Sequence, residues 1–203
     1  MKQAILLVFF TSTFTLLFAQ KNQLPFGRNT IELDKNTASV IATKFTDQVF
    51  EDHLYLLLQF NQAITPQLLE ELEQYEIIPI RYLGNSTFLS ITPNKFNFNN
   101  LQQLNIQQLS ALEAENKIDI QLNNQTGKVE VLIKFYLLEN KEAILAILSD
   151  FGKILTYPYP SMSNAIALQT NASQLEKIAA LPFLEYIQRA YFDENFGNDN
   201  LAI

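Results

Sequence analysis

Few residues of this chain have the chemistry for catalysis, and those few are not spaced for it. The sequence holds one histidine, His53, and no cysteine. A serine–histidine–acid relay would have to be built on His53, which stands just ahead of an apolar run with no nucleophile motif beside it. A turn or surface histidine is the expectation. Thiolate metal sites are excluded, and a single imidazole cannot supply a multi-histidine ligand set. Carboxylates stand side by side at Glu70-Glu71 and Asp193-Glu194. The first pair falls on the water-facing side of an expected helix and the second in a polar terminal stretch. Neither has the desolvated cleft that raises a carboxyl pKa for acid–base work. Only five glycines are present, and no run of them forms a phosphate-cradling loop. Three triplets, Asn85-Ser86-Thr87, Asn124-Gln125-Thr126 and Asn171-Ala172-Ser173, have the form of glycosylation acceptors, a pattern that arises easily in an Asn-rich chain. The expectation from residues alone is a protein without catalytic residues, cofactor or metal.

Charge and the first segment narrow the setting. Net charge is −7, and no basic stripe runs along any part of the chain. Nucleic acid is not an expected partner, because phosphate neutralisation needs clustered Lys and Arg. The opening MKQAILLVFFTSTFTLLFAQ carries Lys2, then an apolar run to Phe18, then Ala19. This reads as a secretory signal peptide over residues 1–19, implying a secreted, extracellular or periplasmic protein with no stable membrane insertion after cleavage. Leu17 departs from the small residue preferred three places before the cut. A retained anchor is the alternative, although Thr11, Ser12, Thr13 and Thr15 interrupt the span. An exported domain without disulfides must be held by its own packing or by a partner.

The elements that remain are read from a repeat. HLYLLLQF from His53 answers to KVEVLIKF from Lys128, and STFLSIT answers to SNAIALQT, at an offset of about 75 to 78 residues. In the first copy, residues 54–60 form a continuous apolar run, a buried strand. Thr65-Pro66 starts a helix with Leu68, Leu72 and Tyr75 on one face. Strands are expected over 77–82 and 87–92 around a turn at Gly84-Asn85-Ser86, followed by a short helix over 99–104 and a strand from Ile106. In the second copy a strand alternates from Val129 to Tyr136, and Asn140 caps a helix with Ile144, Ile147, Leu148 and Phe151 on one side. Gly152 stands where a left-handed helix end is expected. Strands follow over 154–159 and 164–170, then a helix opened by Asn171 and stopped by Pro182, and a last strand over 183–191.

Strand–helix–strand–strand–helix–strand, twice, predicts an α+β fold of two tandem ferredoxin-like (βαββαβ) sandwiches with antiparallel sheets. The domains expected are an N-terminal extension over 20–50, a first module over 51–122, a second over 127–192 and a tail over 193–203. Residues 39–45, SVIATKF, could add an edge strand. The sheet face away from the helices in the second copy should carry Lys134, Tyr136, Tyr157, Tyr159 and Tyr186. Such an aromatic face either docks a partner or packs on the other repeat.

The second copy, with its alternating strand, its helix ending near glycine and the run LEKIAALPFLEYIQRAYF, resembles the N-terminal pro-regions of secreted bacterial subtilisin-like serine peptidases. LPFLEYIQ is similar to the last strand of the propeptide-inhibitor domain in that family. LLLQFNQAITPQLLEELEQYEIIPIRYLGNSTFLSIT resembles the additional amino-terminal module of some long pro-regions. The resemblance covers most of the chain after residue 19 and rests on hydrophobic patterns. The peptidase domain with its Asp, His and Ser boxes is absent, and the chain ends where such a domain would be expected to begin. The resemblance implies a folding chaperone and temporary inhibitor of a peptidase catalytic domain. It would dock through Tyr157, Tyr159, Glu185 and Tyr186 and lay a tail containing Phe192, Asp193, Glu194, Asn195 and Phe196 along the substrate cleft. A free-standing secreted binding module, or a protease inhibitor acting in trans, is the alternative. A ligand-sensing domain of the amino-acid-binding type is disfavoured, because Asn61-Gln62-Ala63 and Leu138-Glu139-Asn140 stand where such sites favour glycine.

Overall fold

In the computed structural model, which describes residues 23–32, 49–96, 103–136, 140–156 and 164–190, the chain divides into two units, Met1–Ala111 and Leu112–Ile203. The expected signal peptide, the candidate edge strand at 39–45 and most of the short helix at 99–104 lie outside the described residues. Both units are α+β with antiparallel sheets and few helices.

The first unit begins with a hairpin, β1 (Gln23–Phe26) and β2 (Asn29–Glu32), turning at Gly27-Arg28. A second, very short strand β3 (Val49–Phe50) pairs with β4 (His53–Phe60) across Glu51 and Asp52, both of positive φ. Then come α1 (Pro66–Gln74), β5 (Ile78–Gly84), β6 (Thr87–Pro93) and β7 (Ile106–Ala111). The β4 strand is central, with β6 on one side and both β3 and β7 on the other, while β5 pairs with β6. The four main strands therefore run in the order β7–β4–β6–β5. Helix α1 starts as its sequence demands. The Thr65 hydroxyl accepts the Leu68 backbone N–H at 3.2 Å, and Pro66 fills a position whose N–H would have had no partner. Its apolar stripe, Leu68 and Leu72, packs with Leu54, Leu56, Leu58 and Phe60 of β4. Full burial stabilises each such leucine by about 2 kcal/mol.

Asn85 and Ser86 both take positive φ, the geometry of the tight turns that match strand twist. The sheet is buried on its other face too, at Tyr55, Leu57, Leu89 and Ile91. The β1–β2 hairpin buries Leu24, Phe26 and Ile31, and the Arg81 guanidinium of β5 lies 4.5 Å over the Phe26 ring. Residues 23–32 thus belong to the first unit rather than to a separate extension.

The second unit opens earlier than the expected module boundaries. The single-turn helix α2 (Ala114–Lys117) and a 3-10 turn at Ile120–Leu122 precede β8 (Lys128–Phe135). They are tied to the strand Leu184–Arg189 by a parallel bridge between Ile118 and Ile187 and by the Asp119 N–H, which donates to the Ile187 carbonyl at 2.8 Å. The remaining elements are α3 (Lys141–Ser149), β9 (Gly152–Leu155), β10 (Ala165–Asn171), a 3-10 turn at Ala172–Gln174, α4 (Leu175–Ala179) and β11 (Leu184–Arg189). Their sheet runs β11–β8–β10–β9. Asn140 caps α3 by accepting from the Glu142 and Ala143 N–H groups, and Ile144 and Leu148 are buried.

Gly152 corrects one sequence expectation. It does not take the left-handed conformation but begins β9 against β10, where an added Cβ would run into the Gln169 carbonyl oxygen. Close approach of two backbones, not chirality, requires glycine there. The left-handed helix end occurs in the first copy, at Glu76 with φ +58. There Ile77 N–H donates to the Leu72 carbonyl and Glu76 N–H to that of Glu73.

Candidate functional site

The resemblance puts the functional weight on the last strand of the second unit and the face beside it. Helix α4 ends at Ala179, and Leu181-Pro182-Phe183 turn the chain into β11. Phe183 is fully buried and its carbonyl accepts the Tyr136 N–H at 3.2 Å, which anchors the start of the strand. A bulge follows. Leu184 stands opposite Phe135 and Tyr186 opposite Lys134, so Glu185 is the extra residue. At the far end Ala190 N–H donates to the Glu130 carbonyl at 3.0 Å, and this fixes where the chain leaves the sheet.

The outer side of β11 is held as well. Beside the Ile118 bridge, the ammonium of Lys117 reaches the Leu181 carbonyl at 3.1 Å, an oxygen that also accepts from Leu184 N–H. Lys117 is only 2 % exposed. Burial pushes its pKa down from 10.5 to about 8, and the carboxylate of Glu113 opposes part of that fall. Nothing in the repeat pattern marked this lysine, because its burial depends on segments more than sixty positions apart.

Of the sequence-derived docking residues, Glu185 is half-buried at the bulge and Tyr186 is 7 % exposed. Tyr186 therefore builds the sheet rather than projecting from it. Tyr157, Tyr159 and the tail residues Phe192, Asp193, Glu194, Asn195 and Phe196 lie outside the described residues. The face itself is not bare. Leu132, Ala167 and Ala190 form a buried cluster with Leu155 and Ala165 packed against it, and Tyr136 is buried too. Half-buried Lys134, Glu130 and Gln169 give this region its polar groups, and the Gln169 side-chain amide donates to the Glu130 carboxylate at 3.0 Å.

The single histidine of the chain also stands among the described residues. His53 is half-buried at the first position of β4, across from Phe50 and Pro93. No group of three or more His, Cys, Asp or Glu side chains there could hold a metal ion. No described helix is long and apolar enough to cross a membrane.

Fold and site together define an α+β protein of two units. Residues 22–113 match a family described as Domain of unknown function (DUF8729). That match coincides closely with the first unit and takes in the β1–β2 hairpin. No curated protein and no solved structure matches the chain.

Proposed function

We propose that the chain is a non-catalytic, secreted pro-region of a subtilisin-like serine peptidase, and that both units are ferredoxin-like. The observation that carries the reading is the strand order β11–β8–β10–β9, with α3 and α4 as the two crossovers. Numbered within the repeat this is 4-1-3-2, the order of a split βαβ sandwich. The first unit repeats it as β7–β4–β6–β5. Further support comes from β11, clamped on both sides so that the following segment starts from a fixed point at Ala190. An extended segment leaving a fixed strand can add main-chain hydrogen bonds in a peptidase cleft, and Glu185 at the β11 bulge and Lys134 on the inner strand β8 would contribute polar contacts.

The test is inhibition and refolding. The purified full chain is added at micromolar concentration to a mature subtilisin-like peptidase and, separately, to its denatured form. The reading expects slow, tight inhibition, faster recovery of activity, and weaker inhibition after truncation at Tyr191. No inhibition and no change in recovery would reject it. The second reading is a free-standing secreted binding module. It expects the truncation to leave partner binding intact.

A further inference from the structure

The second unit carries a pocket that the proposed function does not use. It lies where β11, β8 and β10 meet, has a volume of about 280 Å³ and is open to solvent. Lys128, Glu130, Gln169 and Arg189 line it, with Leu122 and Gln125 on the side of the 3-10 turn. Lys128 and Arg189 are exposed, and neither makes an ion pair or side-chain hydrogen bond among the described residues. That is unusual company for this chain, in which 21 acidic residues outnumber 14 basic ones. The one carboxylate in the lining, Glu130, already accepts a hydrogen bond from Gln169.

We propose that this pocket binds the carboxylate side chain of an acidic peptide segment on a partner protein. Two cations against one carboxylate leave a single positive charge in the lining, the amount that one further carboxylate neutralises. The Arg189 guanidinium offers a planar fork for that group, and Lys128 adds a second donor of the same sign. The size of the site selects a side chain over an enclosed metabolite, since small-molecule sites are larger or surround their ligand. Because the chain as a whole repels anions, any attraction of an acidic peptide must be local.

The experiment uses the full chain and fluorescence anisotropy at low salt. The probe is a labelled octapeptide of alternating Gly and Glu, blocked at both ends, with its Gly/Gln counterpart as control. The acidic peptide should bind at least about tenfold more tightly than the neutral one, and added salt should weaken it. Lys128→Gln with Arg189→Gln should remove that preference. Lys177→Gln, at an exposed lysine of α4, should leave it unchanged. Thermal melts confirm that the variants stay folded, as expected for exposed sites. Equal binding of both peptides, no binding of the acidic one, or equal loss in Lys177→Gln would overturn the proposal. So would binding of inorganic phosphate that depends on Lys128 and Arg189 while the acidic peptide fails to bind.

Discussion

Lys117 makes the stability of the second unit depend on alkaline pH in an unusual direction. In the unfolded chain its ammonium titrates at its ordinary 10.5, but in the folded chain burial brings it to about 8. Between those values the unfolded state holds the extra proton, so stability rises with pH across that window. Below about pH 8 both states are charged and the full penalty of burying the ammonium is present. The gap between 10.5 and about 8 corresponds to about 3 kcal/mol. Most of it, about 2 to 3 kcal/mol, is relieved between pH 7 and pH 10. The perturbation is Lys117→Met, which keeps the unbranched shape and most of the length of the side chain and removes the charge. Urea unfolding of wild type and variant at pH 7, 8.5 and 10 gives the stability difference at each pH, and other titrating groups cancel in that difference. The variant should hold its largest advantage at pH 7 and lose about 2 to 3 kcal/mol of it by pH 10. The Leu181 carbonyl keeps its bond from Leu184 N–H in the variant, so no buried acceptor is orphaned. A difference that stays constant within about 0.5 kcal/mol across the series would refute the assignment of a buried, charge-penalised lysine.

Three further substitutions test the local arguments, each read by chemical denaturation. Glu76→Gly should stabilise the first unit by up to about 1 kcal/mol, because Glu76 holds the left-handed position at the end of α1 that glycine adopts without strain. Gly152→Ala should destabilise the second unit by about 1 to 3 kcal/mol, since the new methyl group meets the Gln169 carbonyl and backbone must shift. Were its effect close to zero, the close approach of β9 and β10 would be wrong. Ser90→Ala should be neutral or stabilising by about 1 kcal/mol, because the buried Ser90 hydroxyl has no hydrogen-bond partner among the described residues. A loss above about 1 kcal/mol there would mean that the hydroxyl does have a partner.

What the sequence disclosed follows the range of the forces involved. Helix starts were legible at Thr65-Pro66 and Asn140, because a cap and the N–H groups it satisfies lie within three residues. The alternation from Val129 to Phe135 was legible for the same reason, and so was the turn at Asn85-Ser86. Gly152 was placed at the right boundary for the wrong cause, since its constraint comes from Gln169 on another strand. The burial of Tyr186 was not legible for the same reason, and Lys117 was not singled out at all. A lysine in a polar stretch and a tyrosine near the chain end both look exposed until the segments that bury them are known. The hairpin at Gln23–Phe26 and Asn29–Glu32 was hidden within the expected N-terminal extension over 20–50, because its partner, Arg81, is some fifty residues away.

The repeat explains why the second copy carries the functional reading although both share one strand order. In the first copy the last strand, β7, pairs with β4 alone among the described residues. In the second, β11 has β8 on one side and Ile118–Asp119 on the other, with Lys117 bonded to the turn that feeds it. A buried ammonium carries a free-energy cost that packing alone would not demand, and a nonpolar side chain would fill that space more cheaply. What the lysine adds is direction, a donor that fixes the Leu181 turn and hence the register at which β11 begins. A bulge at Glu185 then resets that register by one residue before the strand reaches Ala190. If the emerging segment works in a partner's cleft, its starting point must be held more firmly than the sheet itself requires. In that case Lys117→Met should gain stability at pH 7 and still weaken inhibition, whereas a clamp with no bearing on the tail would gain stability with inhibition unchanged.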